Sequence, residues 1–287
     1  IAYPIVGEQK LERFVRLASK AELSTVVDNL EQASALGDTV ASAGLTIPVL
    51  VEVDTGLKRC GLLPEQVLDF VTQLHHIPGL SFKGLLTHAG HVYGAQSLAQ
   101  AKEIGLAEGN TLAKAAGELR KLGFKVDEVS VGSTPTAKIA GKVAGVTEIR
   151  PGNYVFYDAM QIGLGIVEAS RCSLKVLTTV VSVPESNRAI IDAGSKTLAL
   201  DRGAHGNAII AGYGFLPDQQ GWEVVRLSEE HGILENKNGG DKLKVGQRIK
   251  LIPNHACPVL NLADKAYICR GEQVVDVWEI AARGAVR

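Results

Sequence analysis

The chain has 287 residues, 46% of them hydrophobic, and a net charge of −1 with cations and anions interspersed throughout. That length accommodates one large α/β domain, or a domain of about 150–200 residues with a smaller partner. The charge balance excludes a basic stripe for nucleic acid and a polybasic membrane patch, and the short, interrupted apolar runs exclude a bilayer-spanning helix. Four cysteines (Cys60, Cys172, Cys257, Cys269) lie far apart and form no disulfide framework, as expected of a soluble protein in the reducing cytoplasm.

IAYPIV (1–6) reads as a buried strand, followed by the amphipathic KLERFVRLASK (10–20). LSTVV (23–27) is the next strand, and NLEQASALGDTVASAG carries helical spacing to a terminal glycine. IPVLVEV (47–53) is a continuous apolar run, as in a strand covered on both faces. A helix near PEQVLDFVTQLHH, a strand near FKGLLTH and a long Ala/Leu/Lys helix over 97–122 come next. VDEVSV (126–131) and TEIRPGNYVFYD (147–158) complete the series. Such regular alternation predicts a parallel sheet and, with this many units, a (β/α)8 TIM-type barrel.

After about residue 160 the pattern changes. VEASRCSLKVLTTVVSV, AIIDAG, EVVRLSEEHGIL, QRIKLIP and KAYICRGEQVVDVWEI are strand-like and separated by Gly, Asn and Asp turns. Two domains are therefore expected, a barrel over 1–160 and an all-β domain over 161–287. About six strands are legible before residue 158, whereas the barrel needs eight. Either two strands escape the pattern or the chain begins inside the barrel.

The polar clusters fall at the C-terminal ends of the expected parallel strands, the face on which barrel enzymes build their sites. DTGLKRCG (54–61) presents Arg59, and THAGHVYG (87–94) offers His88, His91 and Tyr93. VGSTPT (131–136) exposes backbone N–H groups in a turn that suits a phosphate. In RPGNYVFYD (150–158), Gly152 and Asn153 let backbone approach an anion and Tyr154 supplies a hydroxyl. Each has a bland reading too: a helix N-cap, a structural histidine, a surface ion-pair partner, a core tyrosine. Their recurrence at one end of consecutive strands favours a site.

PNHACPVL (253–260) places His255 and Cys257 two positions apart. If IKLIPNHAC stays extended, both side chains point to one face, roughly 6–7 Å apart at Cα. An imidazole and a thiolate then reach one tetrahedral ion, and the N/S pairing favours Zn²⁺. Two protein ligands leave positions open for water or substrate. The alternative is a buried cysteine beside a hydrogen-bonded histidine; H-x-C alone leaves both readings open.

Together VEVDTGLKRCG, THAGHVYG, VSVGSTPT, EIRPGNYVFYD, AIIDAGSKT, SEEHG, LIPNHACPVLNL and VWEIAARG, in this order over the whole chain, resemble the D-threonine aldolase / D-serine dehydratase family of fold-type III pyridoxal-phosphate enzymes. The resemblance implies an alanine racemase-like barrel followed by a β domain, in a homodimer with active sites near the subunit interface. It implies that Gly132, Ser133, Thr134, Gly152, Asn153 and Tyr154 hold the phosphate of pyridoxal 5′-phosphate. Arg59 resembles the arginine near the cofactor's phenolic oxygen, and His88 the histidine lining its ring. His255 and Cys257 match the family's metal pair, with Zn²⁺ favoured over Mn²⁺ or Mg²⁺. Motif matching alone marks Asp192, Lys196, Glu230 and His231.

The family's Schiff-base lysine stands on the first barrel strand, in an Arg-Pro-His-x-Lys-x-His-Lys type of stretch that this sequence does not contain. IAYPIV resembles the family's third strand, and Lys10, Lys20, Lys58, Lys83 and Lys138 stand in other contexts. The expectation is a chain without the first two strands and without that lysine, which by itself does not complete the reaction. The implied chemistry is lyase chemistry on a small β-hydroxy D-amino acid. It is either aldol cleavage of D-threonine to glycine and acetaldehyde, or dehydration of D-serine or D-threo-3-hydroxyaspartate with release of ammonia. VWEIAARG leans to the aldolases and Cys257 to the dehydratases; a non-catalytic pyridoxal-phosphate-binding protein is the alternative of another class, although such a carrier has no use for a metal pair.

Overall fold

The computed structural model describes residues 1–203, 209–239 and 241–285. It divides into two compact units, Ile1–Val92 with Ala99–Gly152, and Tyr93–Leu98 with Asn153–Arg287.

The first unit is parallel α/β. Its elements are α1 (Glu8–Ala18), β1 (Thr25–Val27), α2 (Leu30–Ser42), β2 (Ile47–Glu52), α3 (Val67–Leu74), β3 (Leu80–Leu86), α4 (Leu98–Lys121), β4 (Glu128–Val131), α5 (Ala137–Ala140) and β5 (Glu148–Ile149). The strands pair in chain order, β1-β2-β3-β4-β5, every pair parallel. Sequential order is the topology of a barrel wall; a doubly wound sheet reverses direction partway. Side chains alternate across this sheet with period two. Val27, Val49, Val51, Leu85 and Val129 face the helices and pack on Phe14, Leu36, Phe70, Leu74 and Leu112. Val26, Leu50 and Leu86 form a separate cluster of their own. Burial on both faces explains the apolar run of IPVLV. Helix α2 starts where Asn29 accepts the Gln32 N–H at 2.8 Å.

IAYPIV does not form the expected strand. Only Pro4 bridges to Val26, in parallel sense. Proline has no N–H to give to a ladder, so pairing does not spread from it.

Gly84 marks a close approach between β3 and β4. A Cβ there would sit on the Glu128 carbonyl oxygen of β4. Gly84→Ala is expected to force β3 and β4 apart and to cost about 3 kcal/mol or more, beyond ordinary overpacking because the obstacle is backbone. Chemical denaturation measures it; a midpoint equal to the parent's contradicts the close approach.

The second unit holds α6 (Ala159–Gly163), β6 (Val176–Glu185), β7 (Arg188–Ile191), α7 (Ser195–Leu198), β8 (Trp222–Leu227), β9 (Gly232–Asn236), β10 (Arg248–Leu251), α8 (Ala256–Leu262), β11 (Lys265–Arg270) and β12 (Gln273–Glu279). A five-stranded antiparallel sheet runs β10-β6-β7-β9-β8, and β11 pairs with β12. Val180, Ile191, Trp222, Val224, Leu234, Ile249 and Leu251 form its core. The stretch VEASRCSL is not strand: a 3-10 turn occupies Ala169–Arg171, and β6 begins only at Val176. Among the described residues no helix is long and apolar enough to cross a membrane.

Candidate active site

In the first unit, polar side chains gather at the C-terminal ends of β2 to β5. Glu52 closes β2 and is buried; burial pushes its carboxyl upward, against the pull of Arg59 and Arg150. The following loop winds around two carboxylates. Asp54 Oδ1 accepts the N–H groups of Gly56 (2.8 Å) and Lys58 (3.1 Å), and Asp28 Oδ2 accepts that of Gly61 (2.9 Å). This folding lets Lys58 adopt φ 57° and turns Arg59 back toward Glu52. The Arg59–Glu52 distance is 4.0 Å with the guanidinium half exposed, so this pairing leaves Arg59 available to another anion.

Beyond β3, Thr87 is buried and its hydroxyl lies 3.0 Å from that of Thr55. His88 is half-buried at the same strand end. The ring of His91 packs 3.1 Å from where a Cβ on Gly56 would be. Its Nδ1 is buried without a partner, and burial pushes its pKa down, so the imidazole is neutral. Arg150, just past β5, donates from Nε to Ser130 Oγ at 2.8 Å and also bonds the Thr87 carbonyl; Ser130 in turn donates to Glu148.

The GSTPT turn after β4 is organised from below by Glu108 of α4. This carboxylate accepts the Gly132 N–H at 2.7 Å and the Thr136 hydroxyl at 2.8 Å, and bonds the Ala89 backbone. Thr136 Oγ1 takes the Ser133 N–H at 3.0 Å. The Gly132 and Ser133 amides are thus used inside the protein and hold the turn's shape. An anion here would meet the Ser133 hydroxyl and the Thr134 side. Gly152 has open space where a Cβ would project. Gly132 serves shape through its φ of 101°, and the groups the turn region offers an anion are the Ser133 and Thr134 side chains, both largely buried, and the backbone of Gly152.

In the second unit, the sequence RPGNYVFYD continues as a 3-10 turn, Asn153–Val155, with Tyr154 more than half exposed. Asn153 does not offer its amide to a ligand. Its Nδ2 donates to Asp158 Oδ2 at 2.6 Å and its Oδ1 is buried, leaving only backbone for an anion. Asp158 caps α6 and also accepts the Ala256 N–H at 3.0 Å. Burial pushes its carboxyl upward, opposed by these hydrogen bonds and by His255.

The PNHAC segment is not extended throughout, contrary to the geometry assumed above. Strand β10 ends at Leu251, His255 is the N-cap of α8, and Cys257 lies in its first turn. Pro253 interrupts the ladder and Pro258 fits a first helical turn, where its missing N–H is no loss. The two side chains still meet. His255 Nδ1 lies 2.8 Å from Asp201 Oδ2, and the imidazole interacts with the Cys257 side chain. Burial opposes charge on this imidazole, but the bonds to Cys257 and Asp201 outweigh it and raise its pKa to about 9. Among the described residues no group of three or more His, Cys, Asp or Glu side chains surrounds a common point. What is present is one imidazole and one thiol in contact, the histidine oriented by a carboxylate through its second nitrogen. That donor set fits a zinc ion with open positions. Tyr93 is buried nearby, its hydroxyl accepting from Gln161 Nε2 at 3.4 Å, and burial pushes its phenol upward.

Because metal must displace the proton on His255, zinc affinity is expected to rise with pH until about 9, by up to roughly tenfold per unit for that one proton. Chelator competition at stepped pH reads this directly. A flat profile between pH 7 and 9 contradicts a histidine ligand with a raised pKa.

Glu108, Asp158 and Asp201 were not among the sequence candidates. Only Glu108 left a trace: Ala101, Gly105, Glu108, Gly109 and Leu112 share the buried face of α4, a lone acid on a small-residue stripe. Lys196, marked by motif, pairs with Glu229 (3.0 Å) and Glu230 (2.7 Å) in the open.

Comparison with known proteins gives two family matches: "Alanine racemase, N-terminal domain" over residues 3–159 and "Putative serine dehydratase domain" over 173–269. A D-threonine aldolase from Arthrobacter sp. is 32% identical over 293 residues, covering 100% of this chain and 74% of the relative. A D-serine dehydratase from Dictyostelium discoideum is 29% identical, over 89% of this chain and 70% of the relative. Among solved structures, a cysteine-to-alanine variant of a D-threo-3-hydroxyaspartate dehydratase, in its metal-free form, superposes with a TM-score of 0.87 at 29% identity, over 97% of this chain and 77% of that one.

Proposed function

Since the chain belongs to the D-threonine aldolase / D-serine dehydratase family of fold-type III pyridoxal-phosphate enzymes, we propose that it is a pyridoxal-phosphate- and divalent-metal-dependent lyase of the D-threonine aldolase type. Its substrate is a β-hydroxy D-amino acid, with D-threonine giving glycine and acetaldehyde. Residues 1–160 act as the cofactor-binding domain and 161–287 as the metal-bearing domain of a cytoplasmic homodimer.

The observation that carries this reading is Asp158, whose one carboxylate oxygen holds both Asn153 of the phosphate turn and Ala256, the residue between His255 and Cys257. An anion site for the cofactor's phosphate and a cation site for the substrate's β-hydroxyl, anchored to one group, suit a cofactor and substrate held side by side. Ser133, Thr134, Gly152, the Asn153 backbone and Tyr154 hold the phosphate, with Gly132 shaping the turn. Arg59 and His88 orient the ring. His255 gives up its proton from Nε2 and, with Cys257, holds the metal. When bound, pyridoxal phosphate supplies an electron sink and the metal a Lewis acid for the β-hydroxyl.

The thiol of Cys257 favours a second reading, dehydration, since a soft sulfur ligand selects Zn²⁺ over the harder Mn²⁺ or Mg²⁺. The deciding assay incubates the protein, with any residues its gene places before Ile1, with D-threonine and with D-serine in the presence of pyridoxal phosphate and zinc. Glycine plus acetaldehyde supports the aldolase, and a 2-oxo acid plus ammonia supports the dehydratase. Cofactor binding with neither product, and no loss on chelation, overturns both in favour of a non-catalytic carrier.

A further inference from the structure

Asp158 is 1% exposed, and it stands where two segments far apart in sequence run side by side. Its Oδ2 accepts from Asn153 Nδ2 at 2.6 Å and from the Ala256 N–H at 3.0 Å, across 98 residues of chain. Backbone bonds reinforce this seam: Ala159 N–H to the Pro253 carbonyl at 3.0 Å and Met160 N–H to that of Asn254 at 3.4 Å. Ala256 lies between the two metal-pair residues, and its N–H is held by Asp158. Asn153 opens the 3-10 turn that carries Tyr154, and its carbonyl closes that turn by accepting from Phe156 and Tyr157. Both donors share one carboxylate oxygen.

We propose that Asp158 is a positioning residue that couples the two ends of the site, so that an anion bound at the Asn153–Tyr154 turn and a metal bound at His255 and Cys257 strengthen each other. The proposal rests on the function argued above and adds to it a mutual dependence of cofactor and metal binding. The physical cause is shared ordering. Fixing the turn places the carboxylate, the carboxylate places Ala256, and the second ligand then has less freedom to remove. Linkage requires the effect to be equal in both directions.

The test measures zinc affinity by chelator competition, without and with saturating pyridoxine 5′-phosphate, whose alcohol does not react with lysines. Tightening by about 5-fold or more is expected, with the same factor for pyridoxine 5′-phosphate affinity when zinc is added. Asp158→Ala is expected to abolish the coupling, with circular dichroism as the control for folding. Asn153→Ala is the second variant. It keeps its backbone N–H and the Asp158–Ala256 bond, and loses only the arm between turn and carboxylate. Its affinity for zinc alone is measured as its own baseline, and its coupling factor should fall below about 2-fold. Zinc and pyridoxine 5′-phosphate binding independently in the parent overturns the coupling and leaves the proposed function standing. Full coupling in Asn153→Ala overturns the role of Asp158. Failure of either ligand to bind overturns the proposed site and the coupling with it.

Discussion

His255→Ala is expected to lower zinc affinity by roughly 100-fold or more, since a fully ligated structural zinc gains about 10–16 kcal/mol and two side chains here carry the protein's share. Cys257→Ala should do the same. Neither change empties the core: His255 is the N-cap of α8 without a capping side-chain bond, and Cys257 is exposed. Loss of metal should therefore come with little loss of thermal stability in the metal-free protein. Chelator competition and a melting curve on each variant separate the two effects. If either variant titrates with zinc as the parent does, the metal pair is wrong.

Glu108→Ala is expected to be the most damaging single change near the cofactor turn. The carboxylate is 1% exposed and serves the Gly132 N–H, the Thr136 hydroxyl and the Ala89 backbone. Removing it leaves up to three buried donors without acceptors at about 1–3 kcal/mol each, offset in part by relief of the acid's own burial, so a loss of roughly 3–5 kcal/mol follows. Glu108→Gln keeps one acceptor oxygen but turns an NH2 toward a donor, and should fall between. Urea unfolding gives the stability change, and pyridoxine 5′-phosphate titration should show weakened binding in whatever fraction remains folded. A Glu108→Ala unfolding free energy within about 1 kcal/mol of the parent's would falsify the view that this acid shapes the turn.

The elements of the parallel unit were largely legible because their signals are local. IPVLV is apolar without a break because both faces of β2 are covered, and helix α4 fills the stretch expected from its composition. The failures were local as well. IAYPIV looks like a strand by composition, yet Pro4 limits it to one bridge. PNHAC looks extended, yet a helix starts at Ala256 and carries Cys257 with it.

The sequence by itself determined which chemistry-bearing residues exist and in what order: a run of polar turns behind parallel strands, then a histidine and a cysteine two apart. Short-range periodicity and turn chemistry suffice for that. Only the tertiary structure decided which carboxylates serve them. Glu108 meets Gly132 across 24 residues, Asp201 meets His255 across 54, and Asp158 meets Ala256 across 98. No periodic pattern announces such pairs, because a buried acid is stabilised by donors that folding brings to it, and the spacing between them along the chain carries no physical constraint.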